Sequence, residues 1–188
     1  MLKFTYPWEH YTIDNFFSKE LLCKLKKEEV NSINFEDNGR GRDSVTERCF
    51  ITRDYKYELG QSLINEYITY FDILFPITGD LYNSHYRMEL TDDNEMYYCD
   101  PHLDSDDKKV TIITYIDAPK NLGTDLYESF DSSPHNIEWK DNKSLIFKPC
   151  KTKWHGMRKH NFKGKRRVML FNCVVKENWK LKEQLWIN

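Results

Sequence analysis

Among the six histidines, only His102 stands in a His-x-acid step, Pro101-His102-Leu103-Asp104. In an extended segment, residues i and i+2 project to one side. An imidazole and a carboxylate can thus be offered to one ion. A third ligand must come from a distant strand. His155, just after the strand-like run Ser144 to Lys148, is the best candidate. His160 is its nearest competitor and His135 a more remote one; His160 lies among basic residues and reads as solvated. Two His and one carboxylate on one face of an octahedron leave three positions open, enough for a bidentate cosubstrate and O₂. Taken alone, His-x-Asp reads equally well as a surface turn with a hydrogen-bonded histidine.

A second group sits further along. Gly164-Lys165-Arg166-Arg167 runs into the apolar stretch Val168 to Val175. An arginine entering a buried strand needs an anionic partner, because an unpaired buried charge is very costly. A ligand carboxylate gripped by the guanidinium fork would satisfy it. Arg166 and Arg167 are neighbours and face opposite sides, so only one can look inward, and which one stays open at this point. Arg87, in Tyr86-Arg87-Met88-Glu89, is expected to pair with Glu89 or to be exposed rather than to reach a substrate. Trp154, beside His155, is free to line a pocket or simply to pack.

These residues need elements to hold them. Trp8 to Ile13 reads as a short strand. Ser18 is a plausible N-cap for a helix from Lys19 to about Val30, with Leu21, Leu22 and Leu25 on one stripe. From Tyr55 to Phe75, Leu59, Leu63, Tyr67, Tyr70, Phe71 and Leu74 recur at helical spacing, and Pro76 stops the run. Beyond it come short β-branched and aromatic runs: Asn83–Leu90, Met96–Cys99, Lys109–Ile116, Thr124–Tyr127, Asn136–Trp139, Ser144–Lys148 and Arg166–Val175. Turn-like pairs such as Asp92-Asp93 and Asp141-Asn142 separate them. The polar segment Asn31 to Glu47, with Gly39-Arg40-Gly41-Arg42, reads as a loop suited to a substrate lid, with Arg40, Arg42 and Arg48 as contacts. Asn178 to Ile187 reads as a short docking helix. Helices followed by a run of short strands predict a mainly β jelly roll with the helices packed outside it.

Bulk composition narrows the classes. The chain has 188 residues, 28 Lys+Arg against 30 Asp+Glu, and a net charge of −2. No apolar run reaches the ~20 residues of a membrane span, and the N-terminus lacks secretory-signal character. The near-neutral charge argues against a dedicated nucleic-acid binder; the basic stretch Lys148 to Arg167 reads as a solvated face. Cys23, Cys49, Cys99, Cys150 and Cys173 are scattered without a CxxC pair, as expected of reduced thiols in the cytoplasm. One alanine, Ala118, against 20 Lys and 14 Asn suggests an AT-rich, phage-like coding bias.

From Ser84 to Val175 the sequence resembles the Fe(II)- and 2-oxoglutarate-dependent oxygenase superfamily, and more closely its prolyl-hydroxylase-like branch. The resemblance rests on Pro101-His102-Leu103-Asp104, the strand Val110 to Asp117, Gly123-Thr124-Asp125-Leu126-Tyr127, Trp154-His155-Gly156 and Gly164-Lys165-Arg166. The opening Thr12 to Ser18 is also similar to the usual start of such proteins. The resemblance implies a double-stranded β-helix, cupin-like, in a single domain over 1–188, with helical support over 14–76 and the β-core over about 82–176. It implies iron on His102, Asp104 and His155. Arg166, favoured over Arg167, would hold the distal carboxylate of 2-oxoglutarate, and the Tyr115 phenol would hydrogen-bond that carboxylate. The reaction would convert 2-oxoglutarate and O₂ to succinate and CO₂ while oxidising a C–H bond, usually by hydroxylation, with ascorbate as a stimulant. The substrate is left open among a protein side chain, proline first, a small molecule or a nucleobase. Monomer and homodimer are both open. The rival reading is a cupin-like metal-binding protein without oxygenase activity. Val168 departs from the family pattern, which often has Ser or Thr two residues after the arginine, and Thr124 stands where a second glycine is usual.

Overall fold

The computed structural model describes residues 1–30, 46–51, 57–74 and 84–175. Most of the expected lid (31–45) and the expected C-terminal helix (178–187) lie outside the described residues.

Helix α1 (Lys19–Lys27) starts where expected, because the Ser18 side chain accepts from the Leu21 amide at 3.3 Å. Glu20 in the first turn and Lys24, Lys26 and Lys27 in the last complement the helix dipole. The helix ends before Val30 for a physical reason: the Arg167 guanidinium takes the carbonyls of Leu25, Lys26 and Glu28 at 2.8–2.9 Å, and Glu28 turns extended. Helix α2 (Tyr57–Leu74) carries Leu63 and Tyr67, both fully buried.

The strands are β1 (Leu2–Phe4), β2 (His10–Ile13), β3 (Thr46–Phe50), β4 (Ser84–Asp93), β5 (Cys99–His102), β6 (Lys108–Asp117), β7 (Asp125–Tyr127), β8 (His135–Asn136), β9 (Ser144–Phe147), β10 (Trp154–Met157) and β11 (Arg166–Val175). They form a seven-stranded sheet in the order β1-β2-β9-β6-β11-β4-β3 and a four-stranded sheet in the order β5-β10-β7-β8, with antiparallel pairing throughout. This is the expected mainly β jelly roll.

Period-two alternation sorts the large sheet into two faces. In β11, Met169, Phe171 and Cys173 join the core under the helices, with Ile112 of β6, Ile146 of β9 and Leu21, Leu25, Leu63 and Tyr67 of α1 and α2. Phe171 lies 4.0 Å, centroid to centroid, from Tyr67. On the other face, Val168 packs with Ile113, Tyr115, Leu145 and Phe147 against Leu126 and Ile137 of the small-sheet side.

Four expectations need correction. β1 was not anticipated; it is an exposed edge strand whose three residues carry no burial signal. β5 begins at Cys99, where Met96–Cys99 was expected. Its Pro101 is tolerated because β5 is the outer strand of the small sheet, where a missing N–H costs no ladder bond. β10 was read as the segment after a strand; Trp-His-Gly-Met lacks the β-branched enrichment that marks strands. The pair Asp92-Asp93, expected as a turn, is the buried end of β4. Asp92 is held by both arms of Arg167 at 2.6 and 2.7 Å, and Asp93 by Arg166 at 2.5 Å.

Gly156 lets β10 approach β5: a Cβ there would lie 2.4 Å from the Cys99 carbonyl and 3.0 Å from that of Asp100. Gly156→Ala is therefore expected to push β10 off β5 and weaken Mn(II) binding by roughly tenfold or more, measured by calorimetry. Arg167→Met leaves the buried Asp92 only the 3.6 Å contact of the exposed Lys165 and should cost about 3–5 kcal/mol in chemical denaturation. The double variant with Asp92→Asn should cost less than the sum of the two.

Candidate active site

The paired strands β5 and β10 bring His102 opposite His155, with ring centroids 4.4 Å apart. Asp104 follows β5, and its Oδ2 is 3.9 Å from His155 Nε2. One ligand atom from each of the three lies within 4.8 Å of the others, and among the described residues they form the single such His/Cys/Asp/Glu group. His160 and His135 stand apart from it: His135 is exposed on β8 and faces Tyr6 edge-on.

The surroundings suit a cation. His102 Nδ1 bonds the Asp100 carbonyl and His155 Nδ1 the Lys153 carbonyl, each at 3.1 Å. A backbone carbonyl accepts only a proton, so both Nδ1 atoms carry N–H and both Nε2 lone pairs remain for a metal. Burial lowers the His155 pKa against the opposing pull of Asp104, which keeps the imidazole neutral as ligation requires. Burial alone would raise the Asp104 carboxyl. The Lys108 ammonium, the His155 ring and the hydrogen bonds from Lys108 and Thr111 outweigh it, and the net shift is downward. Lys108 Nζ sits 2.5 Å from Asp104 Oδ1, and Thr111 Oγ1 donates to Oδ2 at 2.6 Å. An ionised carboxylate and two imidazoles with free Nε2 atoms fit a borderline divalent ion such as Fe(II).

The donors line a cavity of about 120 Å³ between the sheets, and Arg166 lines the same cavity. Arg166 is 5% exposed. Its Nε donates to the Leu122 carbonyl at 2.8 Å and its Nη1 to Asp93 Oδ2. The guanidinium also lies 5.6 Å over the Trp139 ring and 6.0 Å from the Tyr97 centroid. Three sides are thus fixed, and among the described residues Nη2 has no acceptor. Arg167 faces the helices, so the choice left open by the sequence is made by register. Tyr115 lies at the Arg166 end but behind the wall: it is fully buried, stacked on Trp139 at 4.6 Å, and bonded through its hydroxyl to Thr124. Thr124 itself is on the cavity wall.

The remaining candidates do other work. Arg87 pairs with the buried Glu89. Trp154 packs edge-on against Phe130 at 5.6 Å. Arg158, Lys165, Arg166 and Arg167 of the basic stretch all pair with aspartates of the β4 and β7 strands. Sequence reasoning did not find Lys108, Thr111, Thr124, Asp93, Tyr97 or Trp139. The spacing of four from Asp104 to Lys108 carries no signal outside a helix. Asp93 was foreshadowed by the demand that a buried arginine find an anion.

No protein-family profile matches the sequence, and no curated protein matches it. Solved structures do. A 2OG-Fe(II) oxygenase family oxidoreductase from Burkholderia pseudomallei superposes with TM-score 0.64 at 11% identity, covering 88% of this chain and 84% of that one. A Trichoplax adhaerens prolyl hydroxylase, solved with a hypoxia inducible factor peptide fragment, gives 0.63 at 17% identity over 93% and 87%. HygX from Streptomyces hygroscopicus, solved with nickel, 2-oxoglutarate and hygromycin B, gives 0.63 at 10% identity over 95% and 92%. The chain has the fold of the Fe(II)- and 2-oxoglutarate-dependent oxygenases, in the form shared by prolyl hydroxylases.

Proposed function

We propose that this protein is an Fe(II)- and 2-oxoglutarate-dependent dioxygenase acting as a hydroxylase. One observation carries the reading: a two-His, one-carboxylate donor set and a buried arginine with a free guanidinium end face one cavity. His102, Asp104 and His155 hold the metal. Arg166 anchors the distal carboxylate of 2-oxoglutarate, and Tyr115 supports that end. The bound metal, with 2-oxoglutarate and O₂, supplies oxidative decarboxylation to succinate and CO₂ and the oxidation of a substrate C–H. The protein's own part is to orient. The Nδ1 bonds aim the two imidazoles, Lys108 and Thr111 fix the carboxylate plane, and the apolar wall of Ile113, Val168 and Leu170 limits water.

A protein side chain such as proline is the first substrate to test, by analogy with the Trichoplax neighbour; a small molecule is second, by analogy with HygX. No described helix is long and apolar enough to cross a membrane. Cys23, Cys99, Cys150 and Cys173 form no disulfide among the described residues, in keeping with action in a reducing cytoplasm. The rival reading, a cupin-like metal-binding protein, has no use for an arginine at the far end of the metal cavity.

Purified protein with Fe(II), ascorbate and 2-oxoglutarate should release succinate without added substrate, and His102→Ala should abolish it. Arg166→Lys keeps the charge beside Asp93 but loses the planar fork; it should weaken 2-oxoglutarate binding by roughly tenfold or more. Absence of anaerobic 2-oxoglutarate binding to the Mn(II)-loaded wild type would overturn the proposal.

A further inference from the structure

Thr111 stands between a metal ligand and an amide. Its Oγ1 donates to Asp104 Oδ2 at 2.6 Å and lies 3.0 Å from the side-chain amide of Asn172 on β11. A threonine hydroxyl owns one proton. Burial raises the Asp104 carboxyl, but Lys108, His155 and Thr111 together pull it lower still, so it is ionised and only accepts. The short, charge-assisted bond to Asp104 therefore takes the Thr111 proton. Toward Asn172, Thr111 has only lone pairs to offer. The two ends of an amide are told apart by their partners. The NH₂ end of Asn172 thus donates to Thr111, and the carbonyl end, Oδ1, points away from it. Among the described residues, Thr111 is the one hydrogen-bond partner of this side chain. Asn172 is 4% exposed and borders the cavity.

Asn172 stands at the far end of the cavity from the guanidinium. It is six residues along β11 from Arg166 and on the same face. That is roughly 20 Å at the rise of a strand. Asp104 is tied to the Asn172 end through Thr111, which faces Asn172 across the ladder. A cosubstrate held by Arg166 and the metal therefore stops short of Asn172. Charged groups on this wall are already matched: Asp104 meets Lys108, and Glu89 meets Arg87. Ile113 and Leu170 beside them are apolar. What the wall offers beyond the metal is a neutral acceptor. A charged group would be desolvated there for one carbonyl in return, whereas a neutral donor gains a hydrogen bond at little cost.

We propose that the primary substrate presents a neutral hydrogen-bond donor, an amide N–H or an alcohol O–H, to Asn172 Oδ1, which sets the C–H bond to be oxidised beside the metal. This deepens the dioxygenase reading and rests on it. Asn172 is the specificity-determining residue. Thr111 is a positioning residue that orients both the Asn172 amide and the Asp104 carboxylate. A backbone amide next to the reacting side chain of a peptide meets the requirement, and so does a small carboxamide or alcohol. A substrate whose reacting carbon is flanked only by carboxylate or ammonium does not.

The test uses the full chain loaded with 2-oxoglutarate and Zn(II), which has no redox chemistry and cannot turn over. Asparagine side chains carry ¹⁵N, and the Asn172 NH₂ signal is identified by its loss in Asn172→Leu. In Thr111→Val this signal should move, because the NH₂ end loses its acceptor; in Thr111→Ser it should stay. Acetamide, propan-2-ol, N,N-dimethylacetamide, acetone, methylammonium and acetate are then titrated into the wild type. Acetamide or propan-2-ol should shift the Asn172 signal saturably, at concentrations roughly fivefold or more below those needed for N,N-dimethylacetamide and acetone. The tighter of the two donors tells an amide substrate from an alcohol. Asn172→Leu, followed through the Ile113 methyl groups, should erase the discrimination. An unmoved Asn172 signal in Thr111→Val would overturn the proposal. So would equal binding of acetone, a preference for methylammonium or acetate, or no saturable binding by either donor. Failure of the Zn(II)-loaded wild type to bind 2-oxoglutarate labelled with ¹³C at C5 would instead overturn the dioxygenase reading.

Discussion

The arginine end of the site and the seating of α1 depend on a pair of ion pairs between β4 and β11. Asp92 and Asp93 are consecutive, as are Arg166 and Arg167, and in antiparallel register each carboxylate meets one guanidinium. Alternation sends the two pairs to opposite faces of the sheet. The Asp93–Arg166 pair stands in the cavity between the sheets. The Asp92–Arg167 pair stands under α1 and collects the helix's last carbonyls. Removing one partner would leave an uncompensated charge at a site only a few per cent exposed, where the desolvation penalty is several kcal/mol. The ligand end of the cavity and the seating of the supporting helix are thus set by one short stretch of ladder.

The metal end uses a different device. The donor residues come from a four-stranded sheet whose strands are short. Their placement depends on close backbone approach at Gly156 and on carbonyls that hold each Nδ1. Asp104 is partly neutralised by Lys108, and Arg166 by Asp93, while Glu89 is met by Arg87. Each cavity-facing carboxylate therefore has its own cation. A divalent ion and a dianionic cosubstrate, as proposed, would together leave that balance undisturbed, which is the least costly way to fill a buried polar cavity.

Much of this was legible in the sequence. The long elements α2, β4, β6 and β11 carry many apolar residues at a clear period, and period is what a sequence displays best. The His102, Asp104 and His155 set was readable because few residue types ligate metals and one extended His-x-Asp step places two of them together. The short elements were not legible. β10 has four residues, one of them glycine, and β5 contains a proline; both hold position through tertiary register rather than propensity. The partners of the site were hidden for a related reason. Lys108, Thr124 and Asp93 are ordinary residues whose roles arise only when distant strands converge. Asp92-Asp93 even carried the wrong local signal, since two acidic residues side by side favour a turn until two arginines face them.

The adjacency of Arg166 and Arg167 bears on how the strand itself can vary. A slip of β11 by one residue would exchange every inward side chain for its outward neighbour. The guanidinium of Arg167 would enter the cavity and that of Arg166 would turn to the helix, so two cations alone would not forbid the error. What tells the two alignments apart is the apolar remainder of the strand. Met169, Phe171 and Cys173 belong under the helices, and Asn172 belongs beside Thr111. A slip would carry Asn172 into the aromatic layer around Tyr67. The far, apolar half of β11 therefore acts as the vernier that decides which arginine faces the cavity.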